Sequence, residues 1–427
     1  MKIAFMGNMN NNNFALLRYF RDLGFDAHLL LFKNDGKGHS YHFAVESDTF
    51  EIEKWKPYIH QTNISDDICC AFNFPFSWLL SFRSYIRSIF KKNLTYAPPV
   101  SKKYLKNLLQ KYNVIIGSGI TPTVMERVNR TLDIFYPYAI GVEYVGDQVI
   151  YSKSKKNFLY NLIFQNIKKK QIKALQKVNI IINSDRSFTE KILNKFSLKS
   201  LPIFIPFIYN KETNDNELDY QKVYNKIEKS NFSVISCSRH IWKKPKPISD
   251  IDWINQNKNN DRFIKAFAEI CQKFPIKKPL LITFEYGPDV HNTKELVKSL
   301  NIKENVLWLP ITERKYLLNL ISKCDVGIGE FYDIKNLTWG ATAMEVMAMG
   351  KPVIQAYDYQ DNEFLNHFGI SPPPIVSART EKEIFDKLSY LLNFSEKRYE
   401  ISKKSKEWFN KNMGIDLAKK WTSLLKN

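Results

Sequence analysis

Twice along the chain, apolar runs of strand length alternate with stretches of helix length, and this alternation restricts the fold more than any other feature. Lys2-Ile-Ala-Phe-Met-Gly7 predicts a short buried strand ending at glycine. The Asn10–Asn13 cluster that follows is suited to cap a helix beginning near Phe14, Ala15–Leu23 continues it to Gly24, and Phe25–Phe32 predicts a second strand. The same grammar recurs at Asn113–Gly119, Leu132–Tyr136 and Asn179–Asn183. It breaks at Pro202-Ile-Phe-Ile-Pro206 and the polar stretch Asn210–Ser230, then restarts. Strands are predicted at Phe232–Ser236, Pro279–Phe284, Asn305–Leu309, Val326–Gly329 and Pro352–Gln355, with helices at Asp261–Lys273, Thr293–Leu300, Arg314–Lys323 and Ala341–Met349 between them. Alternation of this kind builds a parallel sheet with helices on both faces. Two such runs in 427 residues predict an α/β protein of two doubly wound domains facing a central cleft. The expected boundaries are a first domain over 1–205, a linker over 206–230, a second domain over 231–400, and a C-terminal helical segment, 401–427, packing back toward the first domain.

Charge is the unusual part of the composition. The 63 Lys and Arg exceed the 43 Asp and Glu by 20, and residues 1–205 hold 29 of the basic but only 15 of the acidic side chains. Residues 68–125 and 148–184 contain no acid at all, which implies a localised positive field and an anionic partner. One segment, Phe74 to Lys92, interleaves large apolar side chains with Arg83, Arg87, Lys91 and Lys92. It reads either as a surface that lies on an anionic bilayer or as a core helix with solvated lysines. Nucleic acid is not the expected partner, because the aromatics sit at scattered core-like positions and no nucleic-acid motif is present. Five cysteines without a C-x-x-C pair disfavour a disulfide framework or zinc site, and neither a signal peptide nor an 18-residue apolar span occurs. The expected location is the cytoplasm, with the inner face of the cell membrane as a peripheral site for the basic stretches.

Chemistry concentrates in Trp339-Gly-Ala-Thr-Ala-Met-Glu-Val-Met-Ala-Met-Gly-Lys-Pro-Val-Ile354. Gly340 opens a helix whose free N–H groups near Ala341 and Thr342 suit a phosphate, since a helix N-terminus carries about half a positive charge. Glu345 lies one turn on, where a carboxylate accepts hydrogen bonds from paired ribose hydroxyls. On spacing alone the segment reads rather as a buried amphipathic helix with Ala341, Met344, Ala348 and Met349 as core and Glu345 as a capped or solvated acid.

This stretch resembles the signature of glycosyltransferase family 4, retaining enzymes of the two-domain, doubly Rossmann-like GT-B fold. Trp339-Gly340 matches its F-G, and Glu345-Val-Met-Ala-Met-Gly-Lys-Pro-Val-Ile354 its tail. Three further segments are similar to the same family in the same order. Ser233-Val-Ile-Ser-Cys-Ser-Arg239 resembles the strand ending in V-G-R, which implies Arg239 at a donor diphosphate. Lys258-Asn-Asn-Asp-Arg-Phe-Ile-Lys-Ala-Phe267 resembles K-G-x-D-x-L-I-x-A-F, implying Lys258 as the second phosphate cation. Glu285-Tyr-Gly287-Pro288 and Asn305-Val-Leu-Trp-Leu309-Pro310 resemble the pieces whose loops hold the nucleobase. The resemblance covers roughly residues 232–355, and residues 1–31 weakly.

The resemblance implies transfer of a sugar, with retention, from a nucleotide diphosphate sugar to a glycan or lipid-linked glycan in bacterial surface polysaccharide synthesis. Arg239, Lys258 and Glu345 are the implied catalytic residues. Donor contacts are expected from Gly7, Arg239, Lys258, Gly287, Leu309, Pro310, Gly340, Ala341, Thr342 and Glu345. Two cations and a helix dipole stabilise the departing diphosphate, so neither cofactor nor metal is expected; Asp250-Ile-Asp252 has the spacing of a metal pair but sits among Pro, Trp and Asn. The family's first motif glutamate corresponds to Leu337 here, with Glu330 and Asp333 as nearby acids. That departure leaves room for a nucleotide-sugar epimerase of the same architecture, or for a subunit that binds nucleotide or glycan without turnover. In the first half, the lone Gly7 is no G-x-G-x-x-G fingerprint, which disfavours dinucleotide binding. Gly117, Ser118 and Glu143 are candidate acceptor-side residues, as is His240 beside Arg239; packing or capping competes with that role for Glu143 and His240.

Overall fold

The computed structural model describes residues 1–33, 44–64, 100–137, 168–184, 188–206, 208–212, 220–246, 253–254, 256–333 and 340–425. The chain forms two compact units. The first comprises Met1–Glu46, Glu51–Tyr209 and Leu417–Asn427, and the second comprises Ser47–Phe50 and Asn210–Asp416.

In the first unit, β1 (Lys2–Met6), α1 (Asn12–Asp22), β2 (Asp26–Leu31), β3 (Ile59–Gln61), α2 (Lys102–Leu109), β4 (Val114–Gly117), β5 (Ile134–Phe135) and β6 (Ile180–Ile181) follow in order. The strands form one sheet in the order β3-β2-β1-β4-β5-β6, every pair parallel. Ile3, Ala4, Phe5 and Met6 are fully buried, as a central parallel strand covered on both faces requires. The asparagine cluster is used differently from a simple cap. Asn10 and Asn11 take left-handed backbone angles, which asparagine tolerates better than other non-glycine residues. The side chains of Asn8, Asn11, Asn12 and Asn13 are buried. Asn13 Nδ2 donates to the carbonyls of Met6 (3.1 Å) and Gly7 (2.8 Å), while its Oδ1 accepts from the Tyr136 hydroxyl at 2.6 Å, which stitches the end of β1 to the start of α1.

The second unit repeats the pattern with α3 (Gln221–Lys229), β7 (Phe232–Ser236), α4 (Asn260–Lys273), β8 (Pro279–Phe284), α5 (Val290–Ser299), β9 (Val306–Leu309), α6 (Arg314–Lys323), β10 (Val326–Ile328), α7 (Ala341–Ala348), β11 (Val353–Gln355), β12 (Val376–Ser377), α8 (Glu381–Asn393) and α9 (Ser395–Asn412); the last helix, α10 (Ile415–Ser423), falls to the first unit from Leu417 onward. Its sheet order is β12-β11-β10-β7-β8-β9, again all parallel. Counted from β7 and read from the β9 edge, this is the same topology as the first sheet. Helix α7 sits directly on β10: a Cβ added to Gly327 would lie 2.2 Å from Val346 Cγ2.

Three details differ from the sequence reading. The polar stretch taken as a linker contains α3, whose Val223, Tyr224 and Ile227 bury one face of an otherwise charged segment. β3 and β12 are edge strands of three and two residues, too short to show a periodic pattern. The C-terminal segment is divided: α9 belongs to the second unit, whereas residues from Leu417 onward belong to the first. There Trp421 is fully buried, its Nε1 donating to the Phe204 carbonyl at 2.9 Å. The basic, aromatic segment from Phe74 to Lys92 lies outside the described residues. Among the described residues no helix is long and apolar enough to cross a membrane.

Each sheet has a point where the strand order reverses, between β1 and β4 in one and between β7 and β10 in the other. Ligands of doubly wound proteins bind just outside the carboxyl ends of the strands at such points.

Candidate active site

At the second reversal point, the chain leaving β7 reaches Arg239, which is half-buried with its guanidinium 5.8 Å from the Tyr286 ring centre. Among the described residues Arg239 makes no salt bridge. The turn before α4 is clamped onto the chain just after Arg239: Lys258 N–H donates to the Ile241 carbonyl at 2.8 Å, and Asn260 Oδ1 accepts from Ile241 N–H at 2.9 Å. Asn259 takes a left-handed conformation to make this turn, and its N–H donates to Asn257 Oδ1 at 3.0 Å. Lys258 is thereby buried beside Arg239. Burial first, and then the Arg239 guanidinium, pull its ammonium down to about 7.

The counter-ion of Lys258 is Glu330, the second residue after β10, and the two side chains are 10% and 11% exposed. A Cβ on Gly340 would lie 2.7 Å from Glu330 Oε2, so the carboxylate rests against the residue that opens α7. The other nearby acid, Asp333, is occupied elsewhere. Arg262 grips it in a two-pronged contact at 2.9 and 3.0 Å, and Asn259 Nδ2 donates at 3.2 Å. Against a burial penalty, these contacts hold its carboxyl below the usual range.

On α7, Thr342 and Glu345 are both buried. Arg314 Nε donates to Glu345 Oε1 at 3.0 Å, and Arg314 Nη1 bridges to Asp48 Oδ1 at 3.1 Å. Burial raises the Glu345 carboxyl, Arg314 opposes that, and the Asp48 charge adds to it. The sequence reading missed Arg314 and Asp48. A charged residue at a helix start looks solvated in sequence, and nothing in the chain between positions 48, 314 and 345 signals that they meet.

The loop after β8 abuts the chain leaving β7. A Cβ on Gly287, whose φ is +116°, would lie 2.6 Å from both the His240 nitrogen and its carbonyl oxygen. The Leu309 carbonyl accepts from Glu285 N–H at 2.8 Å, and Pro310 is exposed beyond it. Gly287 and Leu309 thus flank one loop cluster near Arg239. His240 is not placed as an acceptor-side residue would be. It is 1% exposed, its ring nitrogens lie 3.1 Å from Thr283 Oγ1 and 3.3 Å from Thr293 Oγ1, and burial pulls it down to about 4. An imidazole held between two threonines, with the Trp308 ring centre 5.3 Å away, is packed inside the unit.

In the first unit, Gly7 follows β1 with a φ of +78°, and Gly117 ends β4 with half-buried Ser118 after it. Both lie at that unit's own reversal point. A Cβ on Gly117 would meet Thr121 Cγ2 at 2.6 Å, so the turn into the next helix needs glycine there. Glu143, Leu337, Asp250 and Asp252 lie outside the described residues.

Residues 243–408 match the family described as Glycosyl transferases group 1. No relative among curated proteins matches the sequence. Among solved structures, Anabaena HepE in complex with UDP is 13% identical with a TM-score of 0.58, with both chains covered in full. TarM of S. aureus, solved with fondaparinux, α-GlcNAc-glycerol and UDP, is 13% identical with a TM-score of 0.56, again with full coverage of both. WaaG, a glycosyltransferase involved in lipopolysaccharide biosynthesis, is 12% identical with a TM-score of 0.51 over the whole of both chains. With two parallel sheets of identical topology and these neighbours, the chain has the GT-B fold of two Rossmann-like units, and its likeness to group 1 glycosyl transferases lies in the second unit.

Proposed function

We propose that the protein is a glycosyltransferase that moves a sugar, with retention of configuration, from a nucleotide diphosphate sugar to a glycan or lipid-linked glycan of a surface polysaccharide. One observation carries the reading: beside the β7/β10 reversal point Lys258, next to Arg239, pairs with Glu330, which lies against Gly340 at the start of α7, the helix that holds Glu345, within or beside the stretch that matches group 1 glycosyl transferases. As the bond from the anomeric carbon to the diphosphate breaks, negative charge grows on the phosphates. Preorganised positive groups in a poorly solvated site stabilise that charge. Arg239 supplies one full charge, Lys258 a second when its ammonium is protonated, and the N–H groups of Gly340, Ala341 and Thr342 the positive end of α7. Glu345 has one oxygen on Arg314, and its Oε2 has no hydrogen-bond partner among the described residues, which suits paired ribose hydroxyls. Gly287, Leu309 and Pro310 are assigned to the nucleobase. Gly7 is assigned to the donor, and Gly117 and Ser118 to the acceptor. The solved neighbours hold UDP, UDP-glucose or UDP with glycan ligands, which is consistent with this donor class.

The test is release of nucleoside diphosphate from a panel of nucleotide sugars, with membrane extract as acceptor source, for the native protein, Arg239→Ala and Glu345→Ala. Release is expected from the native protein. Losing one such stabilising group costs about 10²–10³ in turnover, so Arg239→Ala is expected to fall by that factor. Binding without release rejects transfer, and isomerisation of the sugar without release points to an epimerase. Proton NMR of the anomeric centre in the product reads retention directly.

A further inference from the structure

Glu330 occupies a place where a phosphate would be expected. Its carboxylate pairs with Lys258 and lies against Gly340 at the opening of α7, so one acidic side chain touches two of the positive elements assigned above to a donor diphosphate. The arrangement is specific to this acid, since Asp333 is held by Arg262 and Asn259 instead. Among the described residues, Lys258 and Arg239 are the cations at the mouth of β7, and Glu330 is the only carboxylate paired with either.

Charge counting then sets a constraint. A nucleotide diphosphate sugar brings about two negative charges, which Arg239 and Lys258 match. With the donor in place, Glu330 would be a further charge, buried and without a counter-ion, which is strongly unfavourable. The backbone there is pinned, since the Glu330 carbonyl accepts from Ala356 N–H at 3.0 Å and Phe331 N–H donates to the Lys258 carbonyl at 3.3 Å, so the carboxylate leaves by rotation of its own side chain.

We propose that Glu330 is an internal stand-in for the donor diphosphate: it holds Lys258 and the α7 terminus in the empty site and is exchanged for the diphosphate when donor binds. This rests on the reading of the site as a diphosphate seat. The exchange stabilises the empty site at the expense of donor affinity, and it makes neutral ligands poor competitors because they bring no charge to displace the acid.

Titration calorimetry with UDP, inorganic pyrophosphate and UDP-glucose, on the native protein and on Glu330→Gln, tests the exchange. Glutamine keeps the shape and removes the charge. The variant is expected to bind UDP and pyrophosphate about tenfold more tightly, the scale of one charge-assisted contact no longer competed for. A contact of merely structural value would, if lost, weaken binding. Equal affinity in the two proteins overturns the exchange while leaving the diphosphate seat intact. Weaker UDP-glucose binding with unchanged UDP and pyrophosphate binding overturns it too, assigning Glu330 to the sugar. If neither protein binds any of the probes, both the exchange and the diphosphate reading fall. Should Glu330→Gln not fold, a crystal structure of the native protein with UDP decides: Glu330 displaced from Lys258 supports the exchange, and an intact pair rejects it.

Discussion

At the scale of single residues, two cations, buried Lys258 and partly buried Arg314, govern the second unit in different ways. Lys258 is drawn down to about 7, so near neutrality it divides between charged and neutral forms. Only the ammonium attracts a diphosphate. Affinity for UDP-glucose, whose esterified diphosphate keeps the same charge across this range, is therefore expected to be level below pH 7 and to fall by about tenfold per pH unit above it, until the pKa of the complex is reached. Lys258→Arg keeps its charge throughout this range and is expected to flatten the profile; a native profile that is flat between pH 7 and 9 would remove the assignment of Lys258 to the phosphate. Arg314 works by holding Glu345 and Asp48 together. Removing it leaves two buried carboxylates facing each other, so Arg314→Ala is expected to lose about 3–5 kcal/mol in urea unfolding of the second unit. Glu345→Gln in the same background should recover part of that loss.

At the scale of elements, the site depends on close approach between strand and helix. Val346 of α7 lies over Gly327 of β10 with no room for a methyl group. Gly327→Ala is expected to cost about 1–3 kcal/mol by overpacking, and to weaken UDP binding because the start of α7 moves with it. Gly287 is constrained twice, by a φ of +116° and by the His240 backbone. Gly287→Ala should add about 1–3 kcal/mol of backbone strain and, by lifting the loop from His240, raise KM for the nucleotide more than it lowers kcat. The capping box at the start of α8 is a control, because neither of its residues is among those assigned to the donor. Thr380 Oγ1 accepts from Glu383 N–H at 3.2 Å, and Glu383 Oε2 accepts from Thr380 N–H at 2.9 Å. Thr380→Ala should cost about 1 kcal/mol with nucleotide binding unchanged.

At the scale of the whole molecule, two units each carry their own parallel sheet and core, and the C-terminus contributes to the first. Trp421 is fully buried there, with its ring 5.7 Å from Tyr136 and its Nε1 on the Phe204 carbonyl. Trp421→Ala is expected to cost about 3–5 kcal/mol, read in calorimetry as a downward shift of the first unit's transition. An unshifted transition would contradict the assignment of that helix to the first unit. Much of this organisation was legible in the chain itself, because a strand buried on both faces must be a continuous apolar run. The bounds of β7, β8 and α6 agree with the sequence reading to the residue. Arg239 and Lys258 were legible only through the family resemblance of the segments that hold them, and Gly340 because a glycine opening a helix leaves free N–H groups suited to a phosphate. Edge strands β3 and β12 were not, since two or three residues carry no period. Nor were the partnerships among charges. Sequence spacing reports which residues share one strand or helix, but it says nothing of which distant side chains meet once sheets close. Only the tertiary structure decided that Glu330 and not Asp333 faces Lys258, that Arg314 joins Glu345 to Asp48, and that His240 turns inward, because each depends on burial that no single segment possesses alone.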